Sequence, residues 1–276
     1  MPTVPVRGGE LAYDLAGAGG DPVVLVHGSY VDRHTWDPIV PGLSQALQVL
    51  AYDRRGYGQS PARPRPRPVR DDAEDLAGLL GALDHFPAHV IAHSYGGAVA
   101  LRLATERPEM VRSLAIHEIP FLGLLEDDPT TAPEAERLEA GVAAMRSLIR
   151  SGHPESAAEQ LVDQFSTEPG AWGRMPAAAR AMFVRHADRW AEEYGDPEAI
   201  RPDPVALHEL LIPVLLTEGS LSPPFLRRIT LRLDARLRNS KLQEVPDAGH
   251  APHLTRPDQY VGLLVNFLLE RNVPVT

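Results

Sequence analysis

The sequence predicts an α/β fold: a mostly parallel β-sheet flanked by helices, with a helical insertion above one edge. Three observations predict it. Short apolar, β-branched runs of strand length recur at residues 23–26, 49–52, 89–92, 114–117 and 213–217, with a weaker one at 241–245. Patterns of helical period lie between or after them, at 36–47, 69–83, 96–105 and 257–269. This alternation fails from 120 to 204, where no strand-like run occurs. Strands that alternate with helices need crossover connections, which give a parallel sheet covered on both faces.

At the start of the chain, residues 4–7 and 10–15 flank Gly8-Gly9 and read as an antiparallel hairpin at one edge of the sheet. The Pro/Arg run at 61–68 reads as an exposed extended loop. The interruption carries helical stretches at 133–150, 155–165, 177–189 and 190–194, split by prolines and glycines. A structureless connection of that length is improbable in a compact domain, so the segment is expected to be a helical cap. The expected division is a core of residues 1–119 and 205–276 and a cap of 120–204.

The 276 residues are 43% hydrophobic and 23% charged, the balance of a soluble globular chain. No cysteine is present, which excludes disulfides, thiolate metal sites and cysteine nucleophiles. A net charge of −10 disfavours binding to nucleic acid. No run approaches the roughly 20 apolar residues that span a bilayer, and residues 1–10 lack the apolar region of a secretory signal, so a cytoplasmic protein is expected. The histidines are scattered without metal-ligand spacing, and no Gly-x-Gly-x-x-Gly follows a strand. Neither a metal nor an organic cofactor is expected. The expected partner is a small-molecule substrate, with no nucleic acid and no membrane; a homodimer stays open.

The most informative segment is His89-Val90-Ile91-Ala92-His93-Ser94-Tyr95-Gly96-Gly97. A strand runs through a tight turn directly into a helix. A strained turn residue needs small neighbours, and Ala92 and Gly96 supply them. The turn exposes the Ser94 hydroxyl above the sheet edge, with the positive end of the next helix beneath it. This segment resembles the nucleophile elbow of the α/β-hydrolase family, Gly-x-Ser-x-Gly, with Ala92 in place of the first glycine. The resemblance implies the α/β-hydrolase fold and a nucleophilic Ser94.

Two further segments are similar to that family. Val24-Leu25-Val26-His27-Gly28-Ser29 looks like its oxyanion loop, which implies the main-chain N–H groups of Ser29 and Tyr95 as oxyanion donors. His27 is expected to brace this loop. Asp53-Arg54-Arg55-Gly56-Tyr57-Gly58-Gln59-Ser60 is similar to the family's Asp-x-Arg-Gly-x-Gly-x-Ser segment and reads as structural.

A serine nucleophile needs a base. Pro246-Asp247-Ala248-Gly249-His250 lies between the last strand and the last helix, where the family carries its catalytic Gly-His pair, so His250 matches. His253 is a weaker competitor, expected to line the entrance or help start the final helix. The imidazole in turn needs a carboxylate. Most family members place it in the loop after the penultimate strand, but here that position is Ser222. The preceding strand ends His117-Glu118-Ile119-Pro120, and neighbouring strands end close together. Haloalkane dehalogenases and zearalenone-type lactone hydrolases include members with the acid after this earlier strand, and the latter carry a similar His-Glu-x-Pro stretch. Glu118 is therefore the expected acid, ahead of Glu218 and Asp247.

Most apolar cap residues at helical spacing should form its core. A few should face the serine, with Tyr30, Phe121, Trp172, Met175, Phe183 and Trp190 as the candidate substrate-binding residues. The expected activity is hydrolysis of a small to medium, hydrophobic carboxylic ester or lactone through an acyl-enzyme. The alternatives are a carbon–carbon-cleaving or non-hydrolytic enzyme of the same fold, such as a cofactor-free oxygenase or lyase, and a ligand receptor with weak turnover.

Overall fold

The computed structural model describes residues 2–62, 68–166 and 170–270. Strands β1 (Thr3–Val6) and β2 (Gly9–Ala16) pair antiparallel about Arg7-Gly8, where Gly8 takes the left-handed φ of 77° that the tight turn requires. β3 (Pro22–Val26) and β4 (Gln48–Tyr52) follow, then helix α1 (Val69–Ala82), β5 (Ala88–His93), α2 (Tyr95–Glu106) and β6 (Val111–His117). Helices α3 (Ala132–Arg150), α4 (Pro154–Phe165) and α5 (Ala177–Glu193) stand between β6 and β7 (Val214–Gly219). The chain closes with α6 (Pro224–Asp234), β8 (Ser240–Val245) and α7 (Pro257–Glu270).

The strands form one sheet in the order β1-β2-β4-β3-β5-β6-β7-β8, parallel from β4 to β8. From β3 the chain first steps to β4 and later returns to β5 on the other side. The carboxyl ends of β3 and β5 therefore flank a topological switch point, where open α/β sheets bind their ligands. The register brings Val26 beside Ala92, His93 beside His117 and His117 beside Thr217. The residues just after β3, β5 and β6 thus share one sheet edge.

Alternate strand residues face opposite layers. Val23, Leu25, Ile91, Ala115 and Leu215 pack with Trp36, Leu43, Tyr260 and Leu264 on one face. Val24, Val26, Val90, Ile116 and Leu216 face α1, α2 and α6, and that core continues without a break into Met145, Ala187, Trp190 and Tyr194 of the 120–204 segment. The expected boundary at 204/205 falls at the first residues of a short helix, Pro204–Glu209.

Several expected elements change. The helix expected over 36–47 is replaced by a 3₁₀ turn, Arg33–Trp36, and a single α-turn, Val40–Leu43. Pro38 and Pro41 lack the N–H groups that a continuous helix needs here. The stretches at 177–189 and 190–194 are one helix, α5. α6 was not expected, because Pro223-Pro224 reads as a loop; Pro224 instead starts the helix at its first position, where its missing N–H costs nothing. Strand β7 starts at Val214, one residue after the expected Pro213. Most of the expected 61–68 loop lies outside the described residues.

Candidate active site

Ser94 stands alone between β5 and α2 with φ 53° and ψ −126°. Such backbone costs on the order of 1–3 kcal/mol for a residue with a side chain and persists only where the surroundings hold it. Here the Ser94 N–H donates to His117 O (2.9 Å), and Ser94 O accepts from the Gly97 N–H (2.8 Å). Gly96 leaves no alternative at its position, since a Cβ there would lie 2.3 Å from Val26 O. Ala92, the departure from the family's first glycine, is fully buried in β5.

The His93 Nε2–H donates to His250 O (2.6 Å), which ties the residue before the serine to the backbone of the histidine. The His250 Nδ1–H donates to Glu118 Oε2 (2.7 Å). That bond selects the tautomer in which Nε2 is the bare, basic nitrogen. Glu118 leaves β6 with a left-handed φ of 44°, and its Oε1 accepts from the Gly219 N–H (2.8 Å) at the end of β7. Both carboxylate oxygens are thus engaged, on a residue only 1% exposed.

Burial by itself would raise the Glu118 carboxyl. His117 beside it and the bond from His250 outweigh that, and the group is held well below the usual carboxylate range. Burial lowers His250 below the ordinary histidine value; Glu118 pulls the other way without cancelling it. The pair is therefore a neutral imidazole on an ionised carboxylate at neutral pH.

The other carboxylates are occupied elsewhere. Glu218 pairs with Arg227 (3.0 Å), and Asp247 is exposed. Ser222, where the commoner acid would stand, is buried, and its hydroxyl has no partner among the described residues. His253 is not at an entrance: it is buried against Trp36, with Nε2 3.0 Å from Thr35 Oγ1. It does sit in the one-turn helix Pro252–Thr255 that precedes α7. Among the described residues, His117, Glu118 and His250 form the group whose ligand atoms lie within 4.8 Å of one another, and the His250–Glu118 hydrogen bond already joins two of them.

The loop after β3 lies against the serine: a Cβ on Gly28 would stand 3.1 Å from Ser94 Cβ. His27 braces it as expected. Its Nε2 accepts from the Arg54 N–H (2.9 Å), so its Nδ1 carries the proton that it donates to Gly28 O (2.7 Å). Tyr95 opens α2, where first-turn N–H groups have no partner within the helix. Asp53 is structural as expected: it is buried and accepts from the Arg33 guanidinium (2.6 Å) and from the main-chain N–H groups of Arg33 and Gln59 (2.8 Å each).

The candidate pocket residues divide. Tyr30 stacks on Phe183 (4.9 Å between centroids) and Trp190 (5.7 Å), and Phe183 meets Trp172 edge-on (6.2 Å). These four form one aromatic ladder. Phe121 instead lines a cavity of about 420 Å³ with Leu101, Arg102 and Leu207, beside the outer face of α2. Met175 is half-buried after the short helix Ala171–Arg174. Sequence reasoning missed Phe165, at the end of α4, whose ring lies 4.7 Å from that of His250. It also missed Arg54 and Glu193, which meet at the loop after β3. Arg54 sits inside a segment already singled out; nothing local marks Glu193.

Residues 23–263 match the model of the alpha/beta hydrolase family. The chain belongs to this family. It is 30% identical over 249 residues to a pimeloyl-(acyl-carrier protein) methyl ester esterase of Neisseria meningitidis, covering 89% of this chain and 92% of that one. It is 26% identical to a 2-(acetamidomethylene)succinate hydrolase of Mesorhizobium japonicum, over 94% and 92% of the two chains. The fold is similar to that of the enol-lactonase from Burkholderia xenovorans, with a TM-score of 0.76 at 23% identity over 97% of this chain and 99% of that one. No helix among the described residues is long and apolar enough to cross a membrane.

Proposed function

We propose that this protein hydrolyses a small to medium, hydrophobic carboxylic ester or lactone through an acyl-enzyme on Ser94. The observation that carries the reading is the 2.7 Å bond from His250 to the buried Glu118, at the sheet edge where Ser94 occupies its strained turn. An ester-cleaving hydrolase also agrees with the methyl ester esterase relative, and a hydrolase with both named relatives.

In this mechanism His250 Nε2 takes the Ser94 proton as the hydroxyl oxygen attacks the carbonyl carbon. Glu118 holds the imidazole and stabilises the imidazolium that forms. The main-chain N–H groups of Ser29 and Tyr95 receive the oxyanion. The imidazolium then protonates the leaving alkoxide, the acyl group stays on Ser94, and His250 activates a water that releases the acid. Tyr30, Phe183, Trp172 and Trp190 form the apolar wall for the substrate, and Phe165 shields His250 from above.

The test uses a fluorophosphonate probe and p-nitrophenyl esters. The full chain should be labelled at Ser94, and Ser94→Ala should abolish both labelling and turnover. A Ser94→Ala variant that still turns over esters would overturn the acyl-enzyme.

A further inference from the structure

The direction of an oxyanion donor is set by its peptide plane. Gly28 C=O and Ser29 N–H belong to one planar trans peptide, so they point opposite ways. Whatever holds the Gly28 carbonyl therefore aims the Ser29 N–H. Arg54 does this directly. Its Nη2 donates to Gly28 O (3.0 Å) and its Nε to His27 O (2.9 Å), so one rigid guanidinium grips two consecutive carbonyls. The same group lies between the rings of Tyr57 (4.7 Å) and Tyr95 (4.8 Å), the latter being the residue that supplies the second donor.

Arg54 is itself held from the cap. Its Nη1 donates to Glu193 Oε1 (2.7 Å), on the last residue of α5, and to Asp72 (3.2 Å). The other Glu193 oxygen, Oε2, accepts from the Ser29 hydroxyl (2.5 Å). Arg189, one turn earlier on α5, donates to Asp72 (2.5 Å). All four charged side chains are buried. Buried ion pairs contribute little net stability, because desolvation offsets their attraction. What this one supplies is geometry: carboxylate, guanidinium and loop each fix the next.

We propose that Arg54 and Glu193 are positioning residues that aim the Ser29 N–H at the oxyanion, which makes α5 of the cap part of the oxyanion hole. The inference rests on the acyl-enzyme reading above.

The experiment compares full-length Ser29→Ala, Glu193→Gln, Glu193→Ala and Arg54→Lys on a p-nitrophenyl ester, with Ser94→Ala as control. Losing an oxyanion donor costs roughly 10²–10³ in rate, so a misaimed one should lower kcat by about 10- to 100-fold. KM should stay within about threefold, since the donor acts on the transition state. Binding of a trifluoromethyl ketone, which forms the oxyanion adduct, should weaken in step with kcat/KM. Glu193→Gln keeps an acceptor for the Ser29 hydroxyl and should lose less than Glu193→Ala. Folded variants with wild-type kcat and wild-type ketone affinity would overturn the proposal, even if their melting temperatures fall. Should Glu193→Ala fail to fold, Arg54→Lys and Glu193→Gln decide, because each keeps nearly the size of the side chain it replaces while weakening the grip on the Gly28 carbonyl. A Ser94→Ala variant that retains turnover would sink the underlying reading instead.

Discussion

The sheet edge that carries Ser94, Glu118 and His250 differs in construction from the cap side that carries Arg54 and Glu193. At the edge, backbone does the placing. Ser94 and Glu118 each follow a parallel strand directly, each has positive φ, and main-chain bonds from one strand end to the next hold them. On the cap side, side chains do the placing. Arg54 and Glu193 are 139 positions apart and meet only because α5 packs over the loop after β3. A site assembled by register is encoded locally, whereas one assembled by helix packing is encoded in tertiary structure.

The largest effect is expected at Gly96. An alanine there would press on the carbonyls of Val26 (2.3 Å) and His27 (2.6 Å), which belong to backbone and cannot swing away. Gly96→Ala should destabilise the fold by about 3 kcal/mol or more. Gly262→Ala, in α7 with nothing within 4 Å of the added methyl, should stabilise it by about 0.5–1 kcal/mol. Urea midpoints for the two variants check this, and equal midpoints would remove the argument that close backbone approach fixes the elbow.

A second test sharpens the electrostatics of the edge. The proposed mechanism needs neutral His250, and burial lowers that histidine. Because the folded value is depressed, the acid limb of kcat/KM should have its midpoint below 6.5, with activity lost as pH falls through the lowered value. Stability runs with the same sign. Burial lowers His253 to about 3, so the unfolded chain takes up protons first and stability drains as pH falls from about 6.5 toward 3. An acid limb centred above 6.5 would contradict the depressed value.

The smallest effect belongs to the cap aromatics. Phe183→Ala removes a half-buried ring from the ladder on Tyr30 and leaves Arg54 and Glu193 in place. It should change the preference between short and long acyl esters several-fold, with stability nearly unchanged. Identical preference across an ester series would exclude Phe183 from the pocket wall.

This contrast also explains what the sequence made legible. The strands, the elbow and the Gly-His pair are readable because each is a short run of residue types with one backbone solution. Glu118 is readable by displacement: Ser222 carries no charge, and the neighbouring strand end offers a carboxylate within reach. Helix α6 is hidden because Pro223-Pro224 reads as a loop. Phe165, Arg54 and Glu193 acquire their positions only when α4 and α5 pack over the sheet, and no periodicity marks them. Phe121 shows the same limit from the other side. It is apolar and in the right segment, but it lines the cavity beside α2.

Glu118→Gln asks whether the proposed acid, one strand earlier than in most of the family, serves His250. Glutamine keeps the size, removes the charge and leaves one acceptor oxygen, so that its NH2 group faces either the Gly219 N–H or the His250 Nδ1–H. Measured beside wild type on one p-nitrophenyl ester, the variant should retain its melting temperature within a few degrees and lose roughly 10⁴-fold in kcat, the scale of losing a triad acid. A folded Glu118→Gln variant within a few-fold of wild-type kcat would show that His250 does not depend on this carboxylate.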